Sequence, residues 1–229
     1  MNAPKRFYKD VDLQSTDDGL AVTLDGKPAK TAGRNVLAAP QSLAEAIRDE
    51  WAQQVDEIQL ETMPLTRMHG FVLDAGEVGR GEFIDTILQY AGTDLLCYRS
   101  DQPALAARQD AAFSPFLKRA EADGMTFVVT TGLLPVQQAP DVIDRMRKIL
   151  EGRPLGEIFP RKLLTEITGS AILGLYAEQD GDAAFAAARL DETFQAEAWG
   201  RDAEAEAREK TLRRDFDCAI RYLGLQSSQ

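Results

Sequence analysis

The sequence predicts an α+β protein, with a small antiparallel, β-rich N-terminal domain and a larger, mainly α-helical domain after it. Three observations predict this. Residues 5–38 carry short runs of alternating apolar and polar side chains around the turn dipeptide Asp25-Gly26. From Leu43 onward the apolar residues recur every three or four positions. Prolines at 64, 103, 140 and 160 each stand near the head of such a run, where a missing N–H is tolerated by a helix.

In the first region Phe7, Val11 and Leu13 are separated by polar residues, Asp17-Asp18-Gly19 reads as a turn, and Leu20, Val22 and Leu24 alternate with Ala21 and Thr23. A further short strand is expected at Val36 and Leu37. A few short strands need a cover for their apolar face. The next helix supplies it: Ser42-Leu43-Ala44-Glu45 has capping-box spacing, and Leu43, Ile47, Trp51 and Val55 form one stripe. Trp51 is therefore expected in the core. Pro64 starts a second helix that buries Met68, Phe71, Val72 and Ala75. Gly76, Gly79 and Gly81 mark a loop, and Phe83, Ile84, Ile87, Leu88 and Ala91 a third helix. Residues 93–99 continue it or start another.

The run from Pro103 to Asp123 contains Pro115, and an internal proline costs a helix about 3 kcal/mol, so two helices or a kink are expected. Residues 125–130 are β-branched and suit a strand or an extended connector. One helix should start at Pro140. A longer one should follow Pro160 and carry Leu163, Leu164, Ile167, Ile172 and Leu175, with a smooth patch at Gly169, Ser170 and Gly174. At the end, Leu212, Phe216, Ile220 and Leu223 keep helical spacing, while residues 202–210, mostly acids and alanine, read as a solvated face. Strands give way to helices near residues 58–64, so the expected domains are residues 1–62 and 63–229.

A formal net charge of −11 over 229 residues excludes a basic nucleic-acid footprint and disfavours anionic lipid. No run approaches the roughly 18 apolar residues of a membrane span, and the first ten residues have no leader-like apolar stretch. A soluble, cytoplasmic protein is expected. Cys97 and Cys218 stand in apolar helical contexts and make no CxxC motif; buried free thiols suit them, although a disulfide between them stays open.

Catalytic signatures are missing. The single histidine, His69, has no HExxH partner and no ligand cluster. The stretch Gly76-Glu77-Val78-Gly79-Arg80-Gly81 follows no strand and precedes no Gly-Lys-Ser/Thr, so it is no phosphate cradle. Gly-x-Ser-x-Gly is absent. A binding protein is favoured over an enzyme.

The stretch with the oddest surface chemistry is residues 190–200, Leu-Asp-Glu-Thr-Phe-Gln-Ala-Glu-Ala-Trp-Gly, which reads as a helix closed by Gly200. At about 100° per residue, Leu190 and Phe194 face one side with Ala183 and Ala187 behind them, which looks like core. Asp191, Glu192, Gln195 and Trp199 fall on a neighbouring side, the last three at i, i+3, i+7. Such a face could grip another protein, with Trp for contact area and acids for selectivity. Spacing alone leans the other way, toward Trp199 lodging against its own chain. An enzyme using Asp191 or Glu192 as general acid–base, and an acidic adaptor for an unrelated basic protein, are the alternatives.

Several motifs occur in order along the chain: Phe7-Tyr8-Lys9, Leu24-Asp25-Gly26-Lys27-Pro28, Glu50-Trp51 with Gln54, and Met63-Pro64-Leu65-Thr66. Tyr90 and residues 93–99 follow, then Pro103, Leu105 and Gln109, then Asp191-Glu192, Gln195, Trp199-Gly200, Asp202, Glu204 and Arg208. Together they resemble the ATP synthase assembly chaperones that bind the free α subunit of the catalytic sector. The resemblance implies a β-rich domain followed by a helical one, no catalysis, no cofactor, no metal and no small-molecule substrate. It implies that the protein keeps an unassembled α subunit from aggregating until a β subunit replaces it.

The resemblance also places a critical carboxylate at Asp191 or Glu192, with Glu192 slightly favoured, and matches Trp51 to a structurally important tryptophan. Where the family commonly has Trp-Asp-Pro this chain has Phe113-Ser114-Pro115, which puts a binding role at Phe113 in doubt; a common Thr-Pro is here Thr31-Ala32. The short N-terminus suggests a bacterial member, whose cytoplasm corresponds to the mitochondrial matrix of eukaryotic relatives.

Overall fold

The computed structural model describes residues 3–132, 135–200 and 203–227. It has the α+β architecture expected, a small antiparallel sheet followed by helices. By packing, the chain forms two compact units, Met1–Gly79 with Arg221–Gln229, and Arg80–Ile220. The compositional break expected after residue 62 marks where strands give way to helices; the division by packing marks where side chains share a core.

In the first unit, β1 (Val11–Thr16) and β2 (Gly19–Leu24) form an antiparallel hairpin with Leu13 opposite Val22. The Asp25-Gly26 turn carries β2 into β3 (Lys27–Pro28), and both turn residues have positive φ, 49° and 74°, as a two-residue type I′ hairpin requires. The fourth strand is β4 (Ala38–Ala39), two residues later than expected, and it pairs with β2 on the same edge as β3, away from β1. That pairing brings the chain so close to Gly19 that a Cβ there would lie 2.4 Å from the Ala39 carbonyl oxygen.

Helix α1 (Gln41–Ala52) buries Leu43 and Ile47. Two expectations fail here. The helix starts at Gln41 with Pro40 as its N-cap, so Ser42 already lies inside the first turn and is not the cap. The helix ends at Ala52, so Val55 leaves the stripe and is 75 % exposed.

Trp51, at the edge of that stripe, is half-buried with its ring edge-on to Tyr8 at 5.7 Å. Beside it, buried Glu50 accepts hydrogen bonds from the N–H groups of Leu65 and Thr66 (2.9 and 2.8 Å) and from the Thr66 hydroxyl (2.7 Å). A carboxylate thus closes the first turn of α2 (Pro64–Gly92), where N–H groups lack helical partners. The Gln54 side chain joins the Glu50 carbonyl, Thr62 and the Gln59 N–H across the same joint.

Of the three glycines expected to open a loop, only Gly76 leaves helical geometry (φ 54°, ψ −168°); Gly79 and Gly81 stay within α2. Phe71, expected inside, is half-exposed. His69 is buried. Its Nε2–H donates to the Ala38 carbonyl (2.8 Å), which fixes Nδ1 as acceptor for the Tyr222 hydroxyl (2.7 Å). Burial holds this imidazole below its ordinary range.

The second unit is helical apart from β5 (Tyr98–Arg99), which pairs in parallel with β6 (Thr130–Thr131). Residues 93–99 therefore form a 3₁₀ turn and a strand, not a helix. Asp94 is fully buried and ties that turn to the start of a later helix, accepting from the Leu96 N–H (3.0 Å), the Ser170 hydroxyl (2.7 Å) and the Ile172 N–H (3.0 Å). Burial pushes its carboxyl up to about 6, against the downward pull of these donors.

Helix α3 (Pro103–Ala122) runs through Pro115 as one element, and the two-helix expectation is wrong. Phe113 and Phe116 flank the proline and are buried, so core packing outweighs the proline's cost. After α4 (Pro140–Glu151), α5 (Leu155–Thr168) likewise takes Pro160 inside, in its second turn. It ends at left-handed Gly169, and Ser170 caps α6 (Ala171–Tyr176), so Ile172 and Leu175 belong to a separate helix. All six α6 residues are buried. Gly174 permits this: a Cβ there would meet the Thr165 hydroxyl at 2.1 Å. Helices α7 (Gly181–Ala188), α8 (Leu190–Trp199) and α9 (Ala203–Ser227) follow. The described part of the expected solvated face, residues 203–210, is exposed almost throughout; Asp202 lies outside the described residues. Cys97 and Cys218 are not joined in a disulfide, Cys97 being fully buried and Cys218 partly so.

Candidate docking helix

Helix α8 has ten residues and none of them is buried. Leu190 and Phe194, expected in the core, are half-buried. Polar and cation–π contacts tie the helix to α3. Gln109 of α3 donates from Nε2 to Oδ1 of Asp191 (2.8 Å). Arg108 of α3 grips both oxygens of Glu197 (2.9 and 2.8 Å), and its guanidinium lies 5.1 Å from the centre of the Phe194 ring.

These contacts divide the four residues picked out by spacing. Asp191 turns inward to Gln109 and is half-buried. Glu192, Gln195 and Trp199 stand exposed on the outer face. Glu192 pairs with Arg189 one turn back. Trp199 is 88 % exposed, so the reading that lodged it against its own chain is overturned. It sits on the last turn, which Gly200 stops with φ 87°, donating its N–H to the Ala196 carbonyl (2.9 Å). Asp191 and Glu192 also occupy the first turn, where negative charge favours the helix.

Trp51 and Pro64 belong to the joint between α1 and α2. Phe113 is buried under the Arg99 guanidinium, 5.0 Å from its ring centre, and offers no surface. Two surface cavities, of about 540 Å³ around residues 53–62 and about 180 Å³ between α3 and residues 126–129, have no α8 residue in their walls. The acidic pair therefore lies on an open helix surface rather than in either cleft. Among the described residues, no cluster of three or more His, Cys, Asp and Glu side chains is arranged to hold a metal, and no helix is long and apolar enough to cross a membrane.

The sequence alone singled out the outer face and named Gln109 only among the family motifs; it gave neither Gln109 nor Arg108 a part in seating the helix. A signal was present. Gln109 interrupts the apolar stripe Leu105, Phe113, Phe116, Ala120 of α3, and a polar residue at a core position needs partners.

Known proteins share this fold. The family model described as ATP12 chaperone protein matches residues 5–121. The crystal structure of Atp12 from Paracoccus denitrificans is 33 % identical, with a TM-score of 0.93, over 97 % of this chain and 98 % of that one. The chain belongs to the ATP12 chaperone family. An aspartate-to-lysine mutant of the P. denitrificans Atp12 superposes with a TM-score of 0.92, at 33 % identity over the same shares of both chains. An Agrobacterium tumefaciens protein of proposed chaperone role is 35 % identical, with a TM-score of 0.87, over 96 % of this chain and 85 % of that one. Membership in the ATP12 family makes this bacterial-type chain an ATP synthase assembly chaperone, in agreement with the motifs in its sequence. The family model stops within α3, whereas the structural matches extend over nearly the full chain.

Proposed function

We propose that this protein binds the free α subunit of the ATP synthase catalytic sector through the outer face of α8 and keeps it from aggregating until a β subunit takes its place. The exposure of Trp199 beside Glu192 and Gln195 is the observation that carries this reading. A large aromatic left in water on a chaperone is a ready contact for an apolar subunit surface. Glu192 adds selectivity and speeds encounter more than it adds affinity, and the net charge of −11 favours a basic patch on the partner. A face built from one short helix makes a modest interface, which suits a partner that must later be displaced. Chaperone family membership favours binding over catalysis, and the bacterial cytoplasm, where free subunits are made, is the proposed place of action.

Size-exclusion chromatography with the organism's own α subunit tests this. Co-elution is expected with free α and not with the assembled catalytic sector. Glu192→Lys should keep the circular dichroism spectrum and weaken binding about tenfold, roughly 1.4 kcal/mol. Undiminished binding by that folded variant would remove Glu192 from the interface. Absence of binding by the unaltered protein would end the α-subunit reading.

A further inference from the structure

We infer that the Gln109 side-chain amide sets the seat of α8, and that Asp191 is a positioning residue, required as a hydrogen-bond acceptor rather than as a charge. This rests on the docking role proposed for α8. Gln109 is 4 % exposed and spans two elements. Its Oε1 accepts from the N–H of Ser100, just after β5, at 2.7 Å. Its Nε2 donates to Oδ1 of Asp191, in the first turn of α8, at 2.8 Å.

The direction of this relay is fixed by chemistry. A backbone N–H can only donate, so the amide oxygen must face Ser100 and the NH₂ must face α8. Position 191 must therefore present an acceptor. Asparagine can do so; leucine cannot, and lysine would set a cation against a donor. The relay has weight because a ten-residue helix is marginal alone and α8 has no fully buried side chain, Leu190 and Phe194 being only half-buried. The remaining named ties, from Arg108 to Glu197 and Phe194, hold the later turns, so Gln109 supplies the named polar tie from α3 to the first turn.

Hydrogen–deuterium exchange of residues 190–199, measured on the whole protein without any partner, tests the seat directly; α-subunit affinity is then measured on the same variants. Asp191→Leu, at a half-exposed position, should speed exchange of the α8 amides by about five- to tenfold, the factor expected for losing one such bond. Gln109→Glu should do the same, because its second carboxylate oxygen would oppose Asp191. Asp191→Asn should stay near the unaltered protein. The double variant Gln109→Glu with Asp191→Asn should recover protection, because the asparagine NH₂ can donate to the new carboxylate.

Unchanged exchange in both Asp191→Leu and Gln109→Glu would overturn the inference, as would Asp191→Asn proving as damaging as Asp191→Leu. If exchange follows the expected pattern and α-subunit affinity does not move with it, the seat stands and the docking role of α8 falls.

Discussion

Trp51 and Trp199 both stand in the last turn of a helix, yet one is built into the protein and the other stands in water. Trp51 shares α1 with Leu43 and Ile47, both fully buried. Its ring meets Tyr8, and its carbonyl accepts the Tyr8 hydroxyl at 2.7 Å. Its indole N–H is buried without a partner among the described residues, a cost that the packing around it outweighs. Trp199 has no such company among the described residues: the named ties of α8 to α3 are an amide and a guanidinium with their acids, and its own Leu190 and Phe194 are only half-buried. The difference lies in what else each helix carries. An apolar stripe draws a tryptophan inward, whereas a helix seated by polar groups leaves it free to meet another molecule.

The largest effect expected from this contrast is on stability. Trp51→Ala should lower the unfolding free energy in urea by about 3 kcal/mol, the low end for a core aromatic because its ring is only half-buried. An unchanged urea midpoint would erase the distinction between the two tryptophans.

Slightly smaller is a pH effect that sets a buried acid against the exposed ones on α8. The folded protein holds Asp94 at about 6, above its ordinary value of 3.8. Between those values the folded state binds the proton more tightly than the unfolded chain. Its contribution is therefore complete below about pH 4 and lost as pH rises through 6, by an amount on the order of 2–3 kcal/mol. The stability of the unaltered protein relative to Asp94→Asn should fall as pH goes from 4 to 7. A difference that stays constant or grows would contradict the burial assigned to this carboxyl.

The smallest stability effect belongs to Trp199→Ala, which should stay within about 0.5 kcal/mol of the unaltered protein while weakening α-subunit binding. A marked loss of stability would give Trp199 a structural role that its exposure denies.

How far each feature was legible follows the range of the forces behind it. The Asp25-Gly26 turn is local chemistry, and it formed as the dipeptide requires. That Glu192, Gln195 and Trp199 share one side of α8 was legible from i, i+3, i+7 spacing, because a helix fixes that geometry without help; that Trp199 is exposed there was not. Pro115 and Pro160 misled, since buried neighbours such as Phe113, Phe116 and Leu164 override a local preference that spacing alone cannot weigh. Gly79 and Gly81 misled for the opposite reason: glycine permits a break but does not impose one. The seat of α8 was out of reach because Gln109 and Asp191 are 82 residues apart, and only the folded chain makes them neighbours.

The bond between His69 and Tyr222 joins residues 153 positions apart within one unit. During synthesis at about 5–20 residues per second, it cannot form until roughly 8–30 s after His69 has been added to the growing chain. Through that interval the nascent sheet unit lacks its final helical contribution, and the rest of the chain must be made while it waits. The order in which the ribosome delivers the residues thus runs against the order in which this unit is closed.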